Sequence, residues 1–420
     1  MKRSTLAVVA MAMSLTAVSS ASAATTRAVD DDAQATARDC NARTPASPTI
    51  QGAVNASAPG DTIIVCPGTY VEQVTVPAGK DRLTLISSVR RQAIIKAPAT
   101  SDLSYNRTRP DLVRVEGATD VSFARFTISG PLADDQFCNE LLNSAVHILG
   151  GGSANLVDNR ITKARASSPA LAGCQNGFGV QIGRRAESQS GTGRLFGNEI
   201  DDYQKGGIYV DGPGSVLVGS GNVVRGPDLS GQPAGLALAA PNGVQISRGA
   251  DASFDDNQVL DNTFPGVRDP LNVFIDGLEP GQSTGIIVFN NEGEPGAQGD
   301  VRVRDNLVSG NDTNIALYNR DRALISRNTV LDASFYDGLF ADSESSENRF
   351  TQNTARGNKE HDCHDDSKGS GTAGTANVWQ DNRGDSSTPP GLCRKDNGHG
   401  DDHGHGDDRG HGGHGRGAKD

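Results

Sequence analysis

Residues 306–330 read NLVSGNDTNIALYNRDRALISRNTV. Two asparagines, each followed by a short apolar piece, bracket the segment: Asn306-Leu307-Val308 and Asn328-Thr329-Val330. Between them lies the alternation Ile315-Ala316-Leu317. The same pair of signals recurs in both directions. The alternation returns as Val146-His147-Ile148, Val180-Gln181-Ile182, Ile208-Tyr209-Val210, Val244-Gln245-Ile246, Ile286-Ile287-Val288 and Leu339-Phe340-Ala341. The asparagine element returns at Asn159-Arg160-Ile161, Asn198-Glu199-Ile200, Asn222-Val223-Val224 and Asn257-Gln258-Val259, and Asn348-Arg349-Phe350 closes the series. The last three asparagines are 22 and then 20 residues apart. A unit of about 20–25 residues with two or three short strands marks a solenoid, whose coils must stack because one coil alone cannot bury its apolar face. Leucine-rich repeats are excluded by the missing leucine pattern, and propellers by the period and the single tryptophan, Trp379. The expected fold is all-β, a right-handed parallel β-helix. Asparagine tolerates the left-handed backbone of a tight corner, and stacked asparagine side chains can bond along the axis.

Composition agrees. Glycine accounts for 51 of 420 residues, about 12 % against a usual value near 7 %, and most glycines outside the C-terminus punctuate short strands. A net charge of −12 excludes a nucleic-acid binder, which needs a basic footprint. Lys2 and Arg3 precede an apolar run, Leu6 to Val18, that ends at Ala21-Ser22-Ala23. This is the pattern of a cleavable export signal over residues 1–23, and it is too short for a membrane span. No span is expected after its removal. Six cysteines in an exported chain predict disulfides, and of the 15 connectivities sequence order favours Cys40–Cys66, Cys138–Cys174 and Cys363–Cys393.

Residues 24–44 read as an N-terminal extension and 45–393 as the β-helix domain. Within the latter, Ile50, Ala53 and Val54 stand at helical spacing in Thr49–Ala58. Strands are expected at Thr62–Cys66, Val71–Val76 and Val121–Ile128. The opening Thr49-Ile50-Gln51-Gly52-Ala53-Val54, through Gly60-Asp61-Thr62-Ile63-Ile64-Val65 to Pro67-Gly68-Thr69-Tyr70, resembles that of the pectin-lyase-like superfamily of secreted β-helix proteins. The ending, His361-Asp362-Cys363 and Asn377-Val378-Trp379 to Cys393, is similar too. The resemblance implies a helix capping the first coil and a polysaccharide on an outward sheet face. The polygalacturonase motifs are missing: Asn262-Thr263 is followed by Phe264, Asn328-Thr329 by Val330, and Arg160-Ile161 by Thr162.

If the repeats are in register, the middle residue of each alternation points outward. The row is His147, Gln181, Tyr209, Gln245, Ile287, Ala316, Phe340, and the next is Leu149, Gly183, Asp211, Ser247, Phe289, Tyr318, Asp342. Gln181, Tyr209, Gln245, Phe289, Tyr318 and Phe340 are the expected substrate contacts, since rings suit sugars. His147 or Asp211 is the expected base, and Arg184 or Arg248 the charge stabiliser. Two functions stay open: a lyase-like or hydrolase-like protein acting on an extracellular or cell-envelope glycan, and a non-catalytic surface module. A monomer is expected.

The cluster His361-Asp362-Cys363-His364-Asp365-Asp366 reads as structural. The segment 394–420 has no large apolar residue and reads as a disordered tail. It carries His399, His403, His405, His411 and His414, a composition suited to Zn2+, Ni2+ or Cu2+. Ca2+ on the sheet face is the other cofactor to consider.

Overall fold

The computed structural model describes residues 23–98, 110–132, 138, 142–229, 238–265, 283–290 and 298–395. Alternating aliphatics and corner residues produce three parallel sheets of twelve, eleven and ten strands among these residues. One coil shows the plan: Thr313–Tyr318 joins the eleven-stranded sheet, Leu324–Ser326 the twelve-stranded one and Thr329–Leu331 the ten-stranded one. Every strand then pairs with its equivalents one coil away, so like residues stack. Val146, Val180, Ile208, Val244, Ile286, Ile315 and Leu339 form one interior row, all at 0 % exposure. Burial of each such side chain is worth roughly 1.5–3 kcal/mol. This continuous row is the core that a single coil lacks.

The corners depart from expectation in an instructive way. Eight asparagines, Asn159, Asn198, Asn222, Asn257, Asn306, Asn328, Asn353 and Asn382, form one ladder. Each Nδ2 donates to the Oδ1 of the next at 2.8–3.1 Å. Each backbone N–H donates to that same oxygen. Left-handed backbone was expected at the asparagines; it falls on the residue before each, from Asp158 (φ 54°) and Gly197 to Gln352 and Asp381. The asparagine supplies the side chain and its predecessor supplies the bend. Asn348 does not close this ladder. It belongs to the preceding corner, where it bonds Asn377 at 3.0 Å, and Asn353 and Asn382 continue the main series.

A helix, Ile50–Ala56, caps the first coil with Ile50, Ala53 and Val54 inward and Thr49 as N-cap. Part of residues 24–44 is built into the solenoid: Thr26–Val29 is the first strand of the twelve-stranded sheet, paired with Thr62–Val65. Two expected strands are each broken by a corner. Gly68–Val71 and Val74–Pro77 replace one, and Val121–Ala124 and Thr127–Ser129 the other, with Arg125 left-handed at φ 65°. Gly207 marks where the chain enters the eleven-stranded sheet. A Cβ there would lie 2.4 Å from Val224 Cγ1 and 2.7 Å from the Gly243 carbonyl oxygen, so only glycine fits. All three disulfides form as paired from sequence order, Cys40–Cys66, Cys138–Cys174 and Cys363–Cys393. No helix of the described residues is long and apolar enough to cross a membrane.

Candidate functional site

Strand pairing in the eleven-stranded sheet sets Arg114, His147, Gln181, Tyr209, Gln245, Ile287, Ala316, Phe340 and His364 in one row. A parallel row two residues on contains Asp211, Ser247, Phe289 and Tyr318. Alternation along each strand turns both rows away from the aliphatic interior.

The N-terminal part of this face is not solvent-exposed. His147 and Gln181 are 2 % exposed and Asp211 is 1 % exposed. Their polarity is absorbed by a hydrogen-bonded cluster. Asp111 Oδ2 meets His147 Nδ1 at 2.8 Å and Arg114 Nη1 at 3.2 Å, while Asn143 Nδ2 donates to Asp111 Oδ1 at 2.8 Å. Asn143 and Ser144 both donate to Gln181 Oε1 at 2.9 Å. Burial alone would raise the Asp111 carboxyl; His147, Asn143 and Arg114 outweigh it and hold the group below its ordinary value. Among the described residues, His147 Nε2 is buried without a hydrogen-bond partner. Sequence inspection missed Asp111 and Asn143, although the pairing of Arg114 with His147 places Asp111 one coil away.

At the centre of the face, Arg248 Nε donates to Asp211 Oδ1 at 2.7 Å and Arg248 Nη2 to the Tyr209 hydroxyl. The Arg185 backbone N–H donates to Asp211 Oδ2 at 2.9 Å, and Ser247 Oγ approaches Oδ1 at 3.3 Å. With both oxygens engaged, Asp211 anchors Arg248 and has little capacity left to accept a substrate proton. Burial first, and then the charge of Asp211, pushes the Tyr209 hydroxyl up, so it stays protonated. Arg184 instead pairs with Glu187 at 3.2 Å. Tyr209 stacks on Phe178 with ring centres 4.7 Å apart, and Gln245 accepts from Asn242 at 3.3 Å.

Toward the C-terminus the face opens. Arg248 lies 5.9 Å from the Phe289 ring centre, and Tyr318 packs against Phe340 at 5.5 Å. Tyr318 is 37 % exposed, and Ile287, Phe289 and Phe340 are half-buried. Phe340 in turn meets His364 edge-on at 5.1 Å.

The cluster from His361 to Asp366 divides into buried Asp362, Cys363 and Asp365 and more exposed His361, His364 and Asp366. Asp362 accepts from Asn358, Asp385 and Ser386, and Asp365 from Ser367, Asn377 and Trp379. With the disulfide-bonded Cys363, these three residues are structural. His361 and His364 turn the other way and meet Asp337, one coil earlier, while Asp366 meets His364. Asp337, His361 and His364 bring one ligand atom each within 4.8 Å of one another, a donor set that could hold a metal ion. The tail histidines His399, His403, His405, His411 and His414 lie outside the described residues, as do residues 1–22.

Two cavities have other linings. One is lined by Ala166, Tyr203, Gln204 and Leu238, and the other, of about 680 Å³, by Arg225, Asp261, Phe264, Asp312 and Phe335. None of the side chains expected from sequence to contact substrate lines either.

Comparison with known proteins bears on the fold. The family described as the right-handed β-helix region matches residues 113–382. No curated protein matches the chain. Among solved structures, the complex of XylC with xylose is 13 % identical at a TM-score of 0.49, covering 86 % of this chain and 75 % of that one. The catalytic unit of a GH87 α-1,3-glucanase from Streptomyces thermodiastaticus is also 13 % identical at 0.49, over 80 % of this chain and 66 % of its own. The A-module of the mannuronan C-5 epimerase AlgE6 from Azotobacter vinelandii is 15 % identical at 0.38, over 80 % and 92 %.

Proposed function

The chain belongs to the right-handed β-helix family, and on that footing we propose that it is an exported protein that binds an extracellular polysaccharide along the outward face of its eleven-stranded sheet. The observation that carries this reading is the run of contacts from Arg248 over the Phe289 ring, in register with Tyr318, to Phe340 packed against Tyr318. Flat half-exposed rings offer stacking surfaces to sugar faces, and the Arg248 guanidinium, held by Asp211, is placed to meet a uronate carboxylate. Strands in a parallel sheet lie about 4.8 Å apart, so a ring on successive coils suits a repeating ligand. The Lys2-Arg3 start with its apolar run, and the three disulfides, support export.

A second reading, catalysis, is favoured by one observation. His147 is oriented by Asp111 through Nδ1 and leaves Nε2 without a partner, which is the arrangement of a general acid or base. The test is incubation with acidic and neutral polysaccharides, following unsaturated products by ultraviolet absorbance and reducing ends in parallel. Binding without turnover supports the first reading. Turnover lost in His147→Gln supports the second, and absence of both binding and turnover defeats the proposal.

A further inference from the structure

We propose that Asp337, His361 and His364 form a binding site for a divalent transition metal of the zinc class, at the C-terminal end of the same outward face. The site is built by coil stacking. The Gly338 N–H donates to the His361 carbonyl at 2.8 Å, which sets Asp337 beside His361 on adjacent coils. His364 stands on the strand Cys363–Asp365, in register with Phe340. The two imidazoles approach the two oxygens of one carboxylate: His361 Nδ1 lies 3.0 Å from Asp337 Oδ1, and His364 Nδ1 lies 2.9 Å from Oδ2. One ligand atom from each residue falls within 4.8 Å of the others.

Those spacings suit a tetrahedral ion. Zinc bonds nitrogen and carboxylate oxygen at about 2.0–2.2 Å, which places neighbouring ligand atoms roughly 3.3 Å apart. The two histidine–Asp337 separations, 3.0 and 2.9 Å, lie within a few tenths of an ångström of that spacing. The donor set is two nitrogens and an oxygen, which suits zinc, copper or iron better than calcium, a cation that takes six to eight oxygens.

The surroundings hold the ligands as a metal site requires. Asp366 Oδ1 lies 3.0 Å from His364 Nε2, which gives the carboxylate–histidine–metal arrangement that fixes tautomer and ring orientation. Phe340 packs edge-on against the His364 ring, and the Cys363–Cys393 disulfide ties the strand behind it. The Asp337 side chain is 6 % exposed and that of His361 is 26 %, so the site is closed on the protein side and open toward solvent. A fourth position is left there for water or for a ligand oxygen. The inference rests on this geometry and stands whether or not a polysaccharide binds the rings beside it.

The test uses the full chain, so that the tail histidines are common to every sample. Protein stripped with chelator is titrated with Co2+ and with Zn2+ alone, for wild type, Asp337→Asn, His364→Ala and His361→Ala. Wild type is expected to take up one more equivalent of metal than each variant, and to show the intense visible absorption of tetrahedral Co2+. In His361→Ala the affinity at this site should fall at least tenfold. His361 is half-exposed, so this variant should fold even if the others do not, and metal-free melting curves check that. Equal uptake by wild type and a folded variant, or Co2+ bound without the tetrahedral spectrum, would overturn the assignment.

Discussion

One outward face of one sheet carries two different regions. Around Asp111, His147 and Gln181 the side chains are polar, almost fully buried and tied to one another. Around Phe289, Tyr318 and Phe340 they are aromatic and reach solvent, and the row runs on to His364, beside Asp337 and His361. The backbone is the same in both, coil on coil in one register. The difference lies in which side chains the repeat presents and in how far they are covered. Polar groups taken from water must find partners, and the first region answers with carboxylate, amide and imidazole closing on one another. Rings need no such partners and can remain available to a ligand. The first region is thus expected to hold the fold together, and the second to act on what lies outside it.

The sharpest way to break this division is Asp111→Ala. It removes the partner of His147 and one acceptor each of Asn143 and Arg114 in a buried site, and loss of one member of such a set costs about 3–5 kcal/mol. The melting temperature should drop by several degrees, whereas Phe340→Ala should cost less than about 1 kcal/mol. Comparable losses for both would erase the distinction. Next in size is the double change Cys363→Ala with Cys393→Ala. The bridge spans 30 residues and anchors the strand bearing His364. Its absence should cost about 3–4 kcal/mol by the loop-closure relation, read by thermal unfolding, and an unchanged melting curve would show that the C-terminal coils hold without it.

Tyr318→Ala sharpens the comparison from the other side. Loss of one stacking ring is expected to weaken glycan binding about tenfold, near 1.4 kcal/mol, with little change in stability. Affinity electrophoresis on polygalacturonate reads this directly, and unaltered mobility would place the ligand elsewhere. A pH effect concerns Lys205, which precedes the strand Gly206–Asp211 and donates to the Ala240 carbonyl at 3.0 Å. Burial lowers its ammonium to about 8. The unfolded chain therefore binds the proton more tightly, and stability should rise as pH climbs through about 8 toward the ordinary lysine range. Lys205→Met should flatten that rise, and an identical slope in the variant would refute the assignment.

Much of this fold was legible because a solenoid repeats its own evidence. The alternation at Val244-Gln245-Ile246 means little alone, but seven such pieces set register, interior and outward face together. The corners were half legible: asparagines marked them, yet the left-handed residue is the one before, and no fixed residue type fills it, since Asp158, Gly197, Arg327 and Gln352 all do. Burial of the polar region was not legible, because alternation gives a side chain's direction and says nothing of what covers it. Asp111 and Asp337 went unnoticed because their partners lie one coil away, about 24 to 36 residues along the chain. Contacts of that kind become visible only once the coils are stacked.

We propose that a polysaccharide lies on the open, aromatic half of the face. A crystal of the full chain soaked with an oligogalacturonate tests it most directly. The account predicts sugar rings over Tyr318 and Phe340 with a carboxylate at Arg248. A chain seated instead in the groove between Phe264 and Phe335, with the face left bare, would contradict it.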